Sequence, residues 1–108
     1  MHVETWEWDD ANSVWVKKPA VVATKRLVAA GPVIAGAHKL CWISCNPSAG
    51  LSVWELTDAI AGGGIVVLDH YHTARESHNT NLIPPKQFNT GIYLETFTNM
   101  TSMVFGYI

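Results

Sequence analysis

The sequence predicts an all-β chain folded as a single-domain β-sandwich, jelly-roll-like, with about seven to nine short and mostly antiparallel strands. Three observations predict it. Short β-forming segments recur at intervals near the 8–12 residues typical of sandwiches and barrels, each bounded by Gly, Pro, Asn, Asp or Ser. Charged residues make up only 15% of the chain, against roughly 25% in an average soluble domain, and Thr, Ser, Asn, Gly and Val fill the gap. No stretch longer than about two turns carries the helical period of apolar residues. With 108 residues there is room for one core, so residues 1–108 read as one domain.

The elements follow in order. His2 to Trp8 is rich in β-formers, Asp9-Asp10-Ala11-Asn12-Ser13 is turn chemistry, and Ser13 to Lys17 resumes the β pattern. Residues 1–18 therefore read as a Trp-rich hairpin or arm. Pro19 ends it, and residues 20–108 form the main sandwich. Ala20 to Ala30 is an extended segment with a polar middle, and Gly31-Pro32 is a turn. Val33 to Ser44 is the strongest apolar run. Its Leu40, Trp42 and Ser44 point one way and Cys41, Ile43 and Cys45 the other, as suits a strand near the centre of a sheet. Asn46 to Gly50 is a loop. Leu51 to Thr57 is a strand, with a short helix over Trp54–Ala61 as the alternative, and Gly62-Gly63-Gly64 stops either one. Ile65 to His72 is β, Thr73 to Gln87 is a long polar connection holding Pro84-Pro85, and Ile92 to Phe97 and Met100 to Ile108 close the fold.

Charge and hydropathy exclude several classes. A formal charge of −2 gives no basic stripe for nucleic acid. No apolar run nears the roughly 20 residues that span a bilayer, so neither nucleic acid nor membrane is an expected partner. The acidic, aromatic N-terminus does not read as a secretory signal, so secretion by a signal peptide is not expected. Cys41 and Cys45, four apart on a strand, would have Cα atoms about 13 Å apart. That is too far for a disulfide, and both read as buried free thiols. So small a domain with so few charges exposes much uncharged surface, which implies a homo-oligomer or an assembly component.

Two constellations stand out. Gly64, His70, His72 and Glu76 are spaced as in the first metal-binding motif of the cupins, small β-barrel metalloproteins. His70 and His72 share a strand face, and Glu76 beyond the strand end completes a set for a divalent metal. The match fails at Ile83, where the motif has a second glycine, and no histidine follows His78 to supply a second motif. His70 and His72 therefore read first as partly exposed strand residues beside a loop, and the metal set His70, His72 and Glu76 is the alternative. The second constellation is Trp6, Trp8 and Trp15. Trp6 and Trp8 lie on one strand face and Trp15 returns on the hairpin partner, an arrangement suited to a subunit interface, to core packing, or to a carbohydrate platform. His38 with Cys41 and Cys45 is too sparse for a zinc site. No nucleophile elbow, Walker loop or Rossmann fingerprint occurs, and no catalytic residue and no resident cofactor are expected.

From Val33 onward the order of features resembles small phage and virus virion-associated proteins of the head-decoration or tail-accessory sort. The segments that carry it are Leu40 to Ile43, a Pro/Ser/Gly loop, Leu51 to Asp58, a Gly-rich break, Phe88-Asn89-Thr90-Gly91-Ile92-Tyr93-Leu94 and the closing Ser102 to Ile108. The resemblance implies a compact sandwich or jelly roll that trimerises, a virion or host-cytoplasm location, and other virion proteins as partners. It implies a non-enzymatic structural role and transfers no functional residue.

Overall fold

The computed structural model describes the backbone at residues 3–9, 11–20 and 22–108, and the side chains of 11–15 and 22–108. Ten strands are described and no helix: β1 (Val3–Asp9), β2 (Val14–Ala20), β3 (Ala23–Leu27), β4 (Gly31–Ala35), β5 (His38–Pro47), β6 (Ser52–Asp58), β7 (Val66–His72), β8 (His78–Phe88), β9 (Gly91–Thr98) and β10 (Met100–Tyr107). Strands β1 and β2 pair only with each other. The other eight form two four-stranded antiparallel sheets, ordered β3-β10-β5-β8 and β4-β9-β6-β7. Between β3 and β10 every connection passes from one sheet to the other except β6–β7. This is the connectivity of a jelly roll, two interlocked Greek keys.

Alternation decides which residues fill the space between the sheets. Leu40, Ile43 and Cys45 of β5 and Met103 and Phe105 of β10 are buried from one side; Trp54 and Leu56 of β6 and Ile92 and Leu94 of β9 meet them from the other. A bulge between Leu40 and Trp42 resets the alternation, so Leu40 is buried beside Cys41 although the two are adjacent in sequence. That bulge leaves Trp42 and Ser44 on the outer face, as a strict period-two reading expects.

Four expectations are corrected. The run Val33 to Ser44 is two strands in opposite sheets, because Gly36 takes a φ of +92° and donates its N–H to the Thr90 carbonyl at 2.8 Å. Gly31-Pro32 opens β4 instead of preceding it as a turn, and Pro19 lies within β2. Both prolines sit on strands with a free edge, where proline is tolerated in a sheet. The connection Thr73 to Gln87 is shorter than its polarity suggests, since β8 starts at His78. Pro84-Pro85 is accommodated within β8 because β8 is an edge strand and its register shifts there: Lys86 faces Leu40 while Asn81 faces Trp42. The segment from Trp54 onward, open between strand and helix, is strand β6 as far as Asp58.

Candidate functional site: a histidine recess between two edge strands

Strands β7 and β8 are the edges of the two sheets on the same side of the sandwich. A short connection, 73–77, carries the chain from one sheet to the other. On β7 the inward series is Leu68, His70 and His72; Leu68 packs on the core, and His72, at the strand end, is 8% exposed. His78 opens β8 directly opposite Cys45 of β5. The crossing thus stacks residues from both sheets around one point.

Three imidazoles meet there. Ring centroids are 4.3 Å apart for His70 and His72, 5.4 Å for His70 and His78 with nearly parallel planes, and 5.4 Å for His72 and His78. Trp54 backs the group, its ring centroid 6.2 Å from that of His70. Beneath them the Cys45 Sγ lies 3.5 Å from His72 Nε2 and donates to the His78 carbonyl at 3.4 Å. Outside is a polar recess of about 200 Å³ lined by His70, His72, Thr73, Ala74, Glu76 and His78.

The electrostatics disfavour the His72 cation. Burial holds the His72 pKa below its ordinary value, and the neighbouring His70 and His78 push it the same way. Burial raises the Cys45 thiol above its ordinary range, against a smaller lowering from the His78 backbone contact. Cys41 is likewise raised by burial, partly offset by the charge of Lys39. Both cysteines are free and buried, as expected. A Cys–His pair makes a nucleophile only where the thiolate is favoured; here the thiol form is.

The structure brings His70, His72 and Glu76 to one recess, as their spacing suggests. It does not arrange them as ligands: among the described residues no group of three His, Cys, Asp or Glu is placed to hold a metal ion. The residue missed by spacing is His78. Its signal was its place at the end of a short polar crossing after His72, which only the sheet assignment turns into proximity.

The tryptophans separate into three environments. Trp54 belongs to the core, and Trp42 lies on the outer face of its sheet. In the hairpin, Trp8 is the register partner of Trp15 and Trp6 that of Lys17, and Trp15 is 63% exposed; the Trp6 and Trp8 side chains lie outside the described residues. No protein-family model, curated protein or solved structure matches the chain.

Proposed function

We propose that the chain is a non-enzymatic structural subunit that self-assembles, as a homotrimer, into a virion-associated particle component of the head-decoration or tail-accessory kind. The observation that carries this reading is the open side of the sandwich. Strands β7 and β8 both present unpaired edges there, and Ile65, Ile83 and Tyr71 along them are 84%, 88% and 56% exposed. Natural edges are usually blunted by charge or proline, or covered; Pro84-Pro85 and Lys86 blunt the later part of β8 against ladder pairing, and the exposed isoleucines are suited to a side-chain contact with a neighbouring copy. The N-terminal hairpin supports the same reading. A lone two-stranded ribbon is marginal in water, and among the described residues β1–β2 joins neither sheet of its own chain as a further strand, so a neighbouring subunit is a natural seat for it. Jelly rolls recur in viral capsid proteins, which is an analogy of fold and not a demonstration of role. Other virion proteins are the further partners this reading implies, and the virion or the host cytoplasm the location.

Native mass spectrometry of the purified chain, before and after a chelator, tests it. A trimer whose mass the chelator leaves unchanged is the expected result. A monomer at micromolar concentration would remove the basis for the proposal. An ion stripped by the chelator would instead favour a metal-binding role for His70, His72, Glu76 and His78.

A further inference from the structure

The outer face of the β10-β5-β8 region holds a second recess, far from the histidines in chemistry. It is a groove of about 390 Å³ lined by Trp42, Ile43, Ser44, Asn79, Asn81 and Val104, at the lower end of the range of small-molecule sites. The register builds it from two adjacent rows across three strands: Gly106, Trp42 and Asn81 in one, Val104, Ser44 and Asn79 in the next.

Trp42 is laid down as a platform. A Cβ built on Gly106 would stand 2.2 Å from Trp42 Cε2, 2.2 Å from Nε1 and 2.7 Å from Cδ1. Those three distances put the point above the ring plane and not beside its edge, so the indole lies flat across Gly106. Any larger residue there would lift the ring. One face of the indole is thus spent on glycine backbone. Its Nε1–H is sheltered from solvent without an acceptor among the described residues.

The other lining groups are two carboxamides, a hydroxyl and an aliphatic side chain, with no charge among the six. The side chains of Ser44, Asn79 and Asn81 make no hydrogen bond to any described residue. Each amide offers both donors and an acceptor, which is what vicinal hydroxyls require, whereas an anionic ligand would call for Arg or Lys. We propose that the groove binds a neutral carbohydrate, the sugar's C–H face on Trp42 and its hydroxyls on Asn79, Asn81 and Ser44. This platform on the sandwich face is separate from the one expected of the hairpin tryptophans.

The test is a glycan array of neutral and acidic oligosaccharides probed with the intact chain and with three variants. The expected result is binding to neutral glycans. Trp42→Ala should lower it at least about tenfold, and the surface change Asn81→Ala by roughly three- to tenfold, as fits one neutral hydrogen bond. Trp15→Ala should leave it unchanged. Amide chemical shifts of Asn79 and Asn81 in the wild-type chain, titrated with the best array glycan, give a readout that does not require Trp42→Ala to fold. No glycan bound, preference for acidic glycans, binding that survives both groove variants, or loss of binding in Trp15→Ala would each overturn the assignment.

Discussion

His72 shows how one side chain ties pH to stability. In the folded chain burial, then the charges of His70 and His78, disfavour its cation, whereas the unfolded chain protonates it near the ordinary value of about 6.5. The unfolded state therefore takes up the proton first. The stability that neutral His72 contributes is complete above about pH 6.5 and is lost as pH falls through the lowered folded value. Thermal unfolding should occur at a lower temperature at about pH 5 than at about pH 7.5, and His72→Gln should shrink that difference. An unchanged pH dependence in the variant would show that His72 is not the group responsible. Asp58 does not confound this window. Its carboxyl is held below the usual carboxylate range, chiefly by the Asn89 and Thr90 N–H groups, so its contribution fails only at more acidic pH.

The β8–β9 turn, residues 88–91, shows why an element needs particular residues. Asp58, at the end of β6, accepts from the Thr90 N–H at 2.7 Å and the Gly91 N–H at 3.2 Å through Oδ1, and from the Asn89 N–H at 3.0 Å through Oδ2. One carboxylate thereby fastens a crossing between the sheets. Asp58→Ala should destabilise by about 1–2 kcal/mol in urea unfolding. Asp58→Asn, which keeps one acceptor, should cost less; equal costs would mean the charge and not the geometry matters. Gly91 is fixed by space. A Cβ there would stand 2.8 Å from the Ala59 carbonyl oxygen and 3.1 Å from that of Ile34, so Gly91→Ala should cost about 1–3 kcal/mol. A fully stable Gly91→Ala would show that β4 and β9 can separate without penalty.

At the scale of the molecule the chain is elongated, 55 × 27 × 18 Å, with two of its four sheet edges, β7 and β8, on one side of the sandwich and β3 and β4 on the other. Ile65 and Ile83 pack against little of their own chain, so replacing both with lysine should leave the fold intact. Lysine is a common blunting residue on natural edges. Ile65→Lys with Ile83→Lys should shift the chain toward monomer in light scattering with an unchanged far-ultraviolet circular dichroism spectrum. An oligomer that persists in the double variant would place the contact elsewhere, on the hairpin or on the β3–β4 side.

The sequence by itself determined the class of this fold. Strand spacing and the alternation through Trp42, Ile43, Ser44 and Cys45 are local signals, set by backbone geometry and the two-residue period of a strand; the bulge between Leu40 and Trp42, which turns Leu40 to the core, is not. The hairpin and the free thiols are legible for the same reason. What only the tertiary structure decided is which strands face one another. Polarity made Thr73 to Gln87 look like a loop because an edge strand outside the core needs no apolar pattern. The division of Val33 to Ser44 rests on one glycine φ, and a long apolar run looks the same whether it stays in one sheet or crosses to the other. His78 joins His70 and His72, and Asn81 joins Trp42 and Gly106, through pairings between distant segments. Such sites arise from sheet order and register, which depend on the packing of the whole chain and leave no mark on the spacing within any one segment.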